Sequence, residues 1–518
     1  MALKKIPAQA LLFVLLFSLQ VNSQPSANTL PRSTPEAQGV SSKGISDFLD
    51  AVKNSKHEFH SFMFLRHGKV IAEGWWSPYA PGLKHTLYSL SKSFTSTAVG
   101  FAVSEKRLTV NDKVISFFPD QLPDTVSTYL SELRIKDLLS MSVGQAPDPT
   151  GAVGSKDTNW VKGFLALPIL NEPGSKFLYN SLATYMLSAI VQKVTGQKVV
   201  EYLTPRLFKP LGIQGMDWET DPKDINTGGW GLRLKTEDIA RFAQLYLQKG
   251  KWNGKQILPA EWVEEATTKK IDQAPDAPQS KKDSSDWLQG YCYQFWRSRN
   301  HSYRGDGAFG QYALVFPDQD AIIAITSETA DMQGELNLVF EHLLPAMQND
   351  KLPADAGAAT SLKQKLASLK LPLPVRSDSS FVTLKLSGKK FAIQSNDKHI
   401  DKISFAEKDH NYLLTLQIDN KNYPISFGKD KWVKGTTSKF GPSLVAPIKH
   451  HFVGLPPSQV AGSYTWKGKN ELEMQLRYID SPHSETMVFH FDGDKVSVDY
   501  FQSFDFSSKK IVLEGQSK

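Results

Sequence analysis

The stretch Ser89-Leu90-Ser91-Lys92-Ser93-Phe94-Thr95-Ser96-Thr97-Ala98-Val99-Gly100 places a serine three residues ahead of a lysine, at the start of an apolar-periodic run of small residues. On a helix, positions i and i+3 share a face, so the Ser89 hydroxyl and the Lys92 amine come within hydrogen-bonding reach. A serine hydroxyl is a weak nucleophile until a neighbour takes its proton. A lysine packed away from water has a lowered pKa and can be that base. Phe94, Ala98, Phe101 and Ala102 recur at helical spacing, while Ser91, Ser93, Thr95, Ser96 and Gly100 keep the other faces narrow, so a buried helix is expected. The spacing alone discriminates little. Ser387/Lys390, Ser395/Lys398, Ser426/Lys429 and Ser507/Lys510 repeat it, but in alternating or turn-like sequence where i and i+3 point to opposite faces. Local sequence also leaves open that Ser89 only N-caps its helix.

Upstream of this helix, residues 62–65 and 70–76 read as two strands joined by a His67-Gly68 turn. Downstream, helical patterns occupy residues 135–139, 182–194, 236–248 and 259–267. Strand character returns at residues 291–295, 310–316 and 321–326, and a helix over 331–347 closes the region. Helices between an early and a late set of strands predict an α+β fold over residues 35–348, an α/β/α sandwich in which the chain ends meet in one central antiparallel sheet. Residues 349–380, rich in Ala, Lys, Pro and Ser with one short helical pattern, read as a linker. Beyond them, short strand candidates at 381–386, 412–418, 423–427, 473–478, 487–491 and 495–500 predict a smaller all-β domain over residues 381–518.

A chain of 518 residues is long enough for two such cores. Residues 1–23 carry Lys4 and Lys5, a largely apolar run over 10–19, and Val21-Asn22-Ser23. This is the pattern of a signal peptide, its apolar core short for a membrane span, so export to the periplasm or the extracellular space is expected. The net charge of +7 is spread along the chain rather than gathered in a stripe, so nucleic acid is not expected as a partner. The single cysteine, Cys292, cannot form an intrachain disulfide and, between Tyr291 and Tyr293, reads as a buried structural thiol. The 12 histidines are scattered without metal-ligand spacing, and there is neither a phosphate-cradling glycine loop nor a Gly-x-Ser-x-Gly elbow. No cofactor or metal is expected.

Pro173-Gly174-Ser175-Lys176-Phe177-Leu178-Tyr179-Asn180-Ser181 bunches a phenol, an amide and a hydroxyl just before a helical pattern. A tyrosine beside a lysine ammonium can have its phenol pKa lowered and exchange protons with the serine and the leaving group, although Tyr179 taken alone reads as an ordinary partly buried aromatic. Further stretches join these two: Leu138-Leu139-Ser140-Met141-Ser142-Val143-Gly144; Gly228-Gly229-Trp230-Gly231-Leu232, followed by Asp238-Ile239-Ala240-Arg241-Phe242; and Gly307-Ala308-Phe309-Gly310-Gln311-Tyr312. Together, over roughly residues 35–347, they resemble the serine β-lactamase and penicillin-binding-protein superfamily, especially its class C β-lactamase-like esterases and amidases.

The resemblance implies that Ser89 is acylated, that Lys92 is its base and that Tyr179 shuttles the proton. The Ser89 backbone N–H would be one oxyanion donor, the second lying near residues 305–307. Two departures stand out. Ser181 occupies the place where the family has asparagine, the asparagine here being Asn180. No Lys-Thr-Gly or His-Thr-Gly triplet occurs, and His301-Ser302-Tyr303-Arg304-Gly305-Asp306-Gly307 stands in its place, with His301 or Arg304 as substitutes for the missing cation. Asn180, Ser181, His301, Arg304, Gly305, Asp306 and Gly307 are therefore the substrate-binding candidates.

The implied function is that of an exported serine hydrolase acting on a small-molecule or peptide-like ester or amide. The degenerate late-strand triplet leaves two alternatives: a covalent-capture or ligand-sensing module, and a true β-lactamase, the latter set back by loss of the cation that binds the β-lactam carboxylate. For the C-terminal domain three roles are open: binding a cell-envelope polymer, covering the active-site mouth and mediating oligomerisation. Trp75, Trp76, Trp160, Trp230 and Trp296 are candidates to line a cleft, but core packing explains most of them equally well and none is assigned individually.

Overall fold

The computed structural model describes residues 29–156, 158–375, 382–448, 451–504 and 511–517, so the segment read as a signal peptide lies outside the described residues. Helix α1 (Ser42–Asn54) leads into strands β1 (Glu58–Arg66) and β2 (Lys69–Trp75), then α2 (Ser91–Ser104). Helices α3 (Ser181–Thr195) and α4 (Thr236–Leu247) precede four further strands, β3 (Trp296–Arg297), β4 (Tyr303–Gly307), β5 (Gln311–Phe316) and β6 (Ala321–Glu328). These make one antiparallel sheet in the order β2-β1-β6-β5-β4-β3. Its early and late strands meet at the β1–β6 pair, where Phe62 faces Ile325 and Leu65 faces Ile322.

Alternation along those strands explains the layers. Phe62, Phe64, Ile323 and Ile325 are buried on one face with Phe48 and Leu49 of α1. Met63, Leu65, Ile322 and Ala324 are buried on the other with Phe94 and Ala98 of α2 and Ala243 of α4. Each large apolar side chain so buried contributes about 1.5–3 kcal/mol, and burial on both faces is why the strands read as nearly unbroken apolar runs. Helix α2 lies inside this sandwich, buried at every position from Ser91 to Ala102, which is the reason its side chains are small.

Three local expectations differ from the structure. Residues 291–295 form no ladder beyond isolated bridges at Tyr291; the chain turns at Gln294, φ +66°, and the strand begins at Trp296. The aromatic alternation there reflects core packing. The described residues of 381–386 form no strand. The closing helix is Met332–Leu338, continued by a wider π turn at Val339–Leu343.

The stretch read as a linker carries α5 (Ala356–Ala367), which buries Leu362; Leu366 of the helix and Leu369 just after it lie over Gly74 of β2. Lys365 ties it to α1 through the Ser46 carbonyl at 3.1 Å and Asp50 at 2.7 Å.

Among the described residues, the C-terminal part is a β barrel of ten strands: β7 (Lys390–Ile393), β8 (Ile400–Lys408), β9 (Asn411–Ile418), β10 (Lys421–Lys429), β11 (Val433–Thr437), β12 (Ser458–Gly468), β13 (Glu471–Tyr478), β14 (Ser484–Asp492), β15 (Lys495–Gln502) and β16 (Ile511–Ser517). A parallel contact of β10 with β12, Gly428 opposite Ser463, closes it. Phe391, Phe405, Trp466, Phe489 and Phe491 fill the interior. The β13–β14 corner docks on the sandwich: Arg477 holds Glu58 with two bonds of 2.6 and 2.9 Å, and Asp480 accepts from Arg233 at 2.9 Å.

Candidate active site

Ser89 sits in a single 3-10 turn, Tyr88–Leu90, immediately before α2, and its side chain does not cap that helix. Tyr88, the residue before it, has φ +45°, a left-handed conformation that costs a non-glycine residue about 1–2 kcal/mol. Helical spacing then does what the sequence implied: Lys92 Nζ lies 3.1 Å from Ser89 Oγ. The amine also reaches the Gly229 carbonyl at 2.8 Å and Ser181 Oγ at 3.0 Å. Lys92 is 1% exposed. Burial lowers its pKa to about 7, opposed in part by the charges of Asp148 and Asp306.

Tyr179 completes the group, its side chain hydrogen-bonded to Ser89 and its ring 4.9 Å from Lys92 Nζ and stacked on Trp296. Its phenol pKa is raised, not lowered as the sequence led us to expect. Burial is the main cause and the Asp306 charge adds to it, against a small opposing effect of the Ser89 bond. The ammonium that was to lower it belongs to a lysine that burial itself drives towards neutrality.

The other candidates divide. Ser181 lines the cavity, whereas Asn180 is 1% exposed and spent on structure, its Oδ1 accepting from the Ala183 N–H at the start of α3 and its amide donating to Gln145. Gly305 and Gly307 let β4 cross closely over the Ser89 turn: a Cβ at Gly305 would lie 2.3 Å from Leu90 Cδ1, and one at Gly307 2.1 Å from the Leu87 carbonyl oxygen. Between them Asp306 lines the cavity and is paired with Arg304 at 2.9 Å.

Arg304 itself is fully buried. Its guanidinium lies over Trp287 and Trp296 and donates to the Asp286 carbonyl and Ser298 Oγ. His301 is 85% exposed beside Asp318 and is not among the cavity residues. Neither replaces the missing cation in the cavity, because one is consumed by Asp306 and the other lies beyond the start of β4.

The cavity has a volume of about 570 Å³. Ser89, Tyr179, Ser181, Asp306 and Ala308 line it together with Trp287, Trp296 and Met332. Its charged lining residues, among those described, are Asp148 and Asp306. Leu444, Val445, Pro447 and Ile448, from the barrel segment between β11 and β12, form a further wall, and Ile448 is anchored against Gly154 of the sandwich.

Sequence reasoning missed these four, since nothing periodic marks that segment, and it missed Asp148, which lies in a Pro-rich loop. Trp296 lines the cavity as anticipated; Trp160 and Trp230 are buried in the core. Cys292 is buried, its thiol pKa pushed up to about 12 by that burial, as suits a structural thiol.

This arrangement, a serine with a buried lysine and a tyrosine at the edge of an antiparallel sheet inside an α/β/α sandwich, defines a serine hydrolase of the β-lactamase and penicillin-binding-protein type. The β-lactamase family model matches residues 59–343, and the chain belongs to that family. It is 27% identical over 289 residues to the 6-aminohexanoate-dimer hydrolase of Paenarthrobacter ureafaciens, covering 52% of this chain and 73% of that one. It is 32% identical over 143 residues to the "Putative D-alanyl-D-alanine carboxypeptidase" of Escherichia coli K12, of whose length it spans 33%, with 25% of this chain aligned. Among solved structures, the "Putative 6-aminohexanoate-dimer hydrolase from Bacillus anthracis" superposes with a TM-score of 0.50 at 20% identity, over 63% of this chain and 89% of that one, which shows the shared fold.

Proposed function

We propose that the protein hydrolyses an ester or amide through an acyl-enzyme on Ser89. The observation that carries this reading is the set of partners around Lys92 Nζ. A neutral amine has two N–H bonds and one lone pair. The Gly229 carbonyl can only accept, and Ser181 Oγ accepts a second bond, so the lone pair is left for the Ser89 hydroxyl proton. Ser89 Oγ attacks the substrate carbonyl carbon as its proton passes to Lys92. The oxyanion is stabilised by the N–H groups of Ser89, at the entry to α2, and of Ala308, which lines the cavity one residue beyond the span first considered. The C–O or C–N bond then breaks with a proton delivered to the leaving group from Lys92 through Tyr179, whose raised pKa keeps it a donor. Water, deprotonated by the same pair, cleaves the acyl-enzyme and frees Ser89.

The apolar walls and the two carboxylates of the cavity support neutral or amine-bearing substrates, and the name of the Paenarthrobacter relative makes a short linear amide the first to try. We also propose export, on the pattern of residues 1–23; among the described residues no helix is long and apolar enough to cross a membrane. The test is turnover of p-nitrophenyl esters and of a 6-aminohexanoate dimer by the full chain and by Ser89→Ala. Loss of about a thousandfold or more in kcat is expected, and a variant as active as the parent refutes the assignment.

A further inference from the structure

The residues that flank both oxyanion donors share an unusual backbone. Tyr88, before Ser89, has φ +45°, and Phe309, after Ala308, has φ +67°. Neither is glycine, so each must be held there by its surroundings. Backbone bonds contribute at Phe309, whose carbonyl accepts from Ser327 Oγ and from the Thr329 N–H. The two rings are 5.6 Å apart, and the same side chain meets both: His483, from the β13–β14 corner of the barrel. Its ring stands edge-on to Phe309 at 4.8 Å between centroids, and its Nε2 is 2.5 Å from the Tyr88 hydroxyl. Nδ1 is 2.6 Å from Glu328 Oε1, at the end of β6, an oxygen that also accepts from Ser503 of the barrel. The His483 side chain is fully buried. A neutral imidazole satisfies both contacts at once: Nδ1–H donates to Glu328, and Nε2 accepts from the Tyr88 hydroxyl.

We infer that His483 is a positioning residue, by which the barrel fixes the Tyr88 and Phe309 flanks and so sets the Ser89 and Ala308 N–H groups for the oxyanion. The inference rests on the reading of Ser89 as nucleophile. It makes the C-terminal domain part of the catalytic apparatus rather than an appendage.

The test compares His483→Asn, His483→Gln and Tyr88→Phe in the full chain by p-nitrophenyl ester kinetics. Asn can mimic Nδ1 towards Glu328 but cannot reach Tyr88, whereas the Gln amide oxygen can accept from the Tyr88 hydroxyl in place of Nε2. Ser89 and Tyr179 remain unchanged, so substrate binding should persist. We expect kcat to fall roughly ten- to a hundredfold in His483→Asn and in Tyr88→Phe, with KM within about twofold and little further loss in the double variant. His483→Gln should recover most of the rate. A destabilised fold would not separate Asn from Gln in kcat at unchanged KM, nor make the two losses non-additive. If His483→Asn does not fold, Tyr88→Phe against His483→Gln carries the same test. Wild-type kcat in His483→Asn or Tyr88→Phe, a loss confined to KM, or no recovery in His483→Gln overturns the inference. Ser89→Ala, assayed alongside, separates the two claims: if it keeps turnover, the nucleophile reading fails instead.

Discussion

Lys92 Nζ lies 3.1 Å from Ser89 Oγ, at a place where the lysine is 1% exposed. The distance suits the proton transfer proposed above, and burial lowers the pH at which the amine is free to take the proton. An ammonium cannot take the serine proton, and with a pKa lowered to about 7 the amine form dominates only above that pH. We predict that kcat/KM for a p-nitrophenyl ester rises with pH through about 7 and is lost below it. Tyr179, pushed above its ordinary value of 10.0, should add no alkaline limb below that pH. Lys92→Arg, always protonated, should lose about a thousandfold or more in kcat.

Ser181 stands where the family pattern has asparagine, and its hydroxyl is 3.0 Å from Lys92 Nζ. Ser181→Ala removes an acceptor for the amine and should cost about tenfold in kcat, on the order of 1.4 kcal/mol. Ser181→Asn returns a longer acceptor and should recover part of that loss. Steady-state kinetics on one ester checks both, and an unchanged Ser181→Ala would remove Ser181 from the machinery.

The cavity offers the Asp148 carboxylate, beside an Asp306 already paired with Arg304, where a β-lactamase of this family would offer a cation. Nitrocefin and benzylpenicillin, both carboxylates, should therefore be hydrolysed with kcat/KM at least about a hundredfold below a neutral ester of similar size, since like charges disfavour binding by several kcal/mol. Comparable efficiencies on the two substrate types would contradict the charge reading of the cavity.

The Arg477–Glu58 pair holds the barrel against the sandwich. Burial alone would raise the Glu58 pKa, but hydrogen bonds from His60 and Arg477 and the Arg477 charge carry it well below the ordinary carboxylate range. Its contribution is present above the ordinary value of 4.5 and fades as pH falls towards the depressed folded value. Arg477→Met should lower the apparent Tm at neutral pH; the loss of stability is up to about 3–5 kcal/mol for a fully buried pair and less here because Glu58 is 28% exposed. The gap from the parent should narrow as pH drops below 4.5. Differential scanning at several pH values measures it.

The sheet and its helices were legible because strands buried on both faces leave unbroken apolar runs, as in β1 and β6, and because α2 needs small residues to sit inside the sandwich. That Ser89 and Lys92 would meet was legible from helical spacing, and that Tyr179 would join them only from the resemblance carried by the ordered motifs. Arg304 and His301 were not, since a charged residue in sequence does not reveal whether it faces a cavity, an ion partner or water. The aromatic run at 291–295 misled because alternation marks burial as well as strands. Leu444 to Ile448 and His483 act on the site from a distance of more than 350 residues from Ser89, a contact that only the docking of the barrel creates.

The proposed hydrolysis runs through a covalent intermediate on Ser89. The most direct measurement is rapid quench of the full chain with excess p-nitrophenyl ester, reading the p-nitrophenol burst and mapping the adduct by peptide mass spectrometry. We predict a burst approaching one equivalent of enzyme when deacylation limits turnover, or an adduct accumulated by quenching in acid below the Lys92 pKa, in either case on the peptide containing Ser89 and absent from Ser89→Ala. Turnover with no adduct on that peptide under either condition, or an adduct that persists in Ser89→Ala, would contradict it.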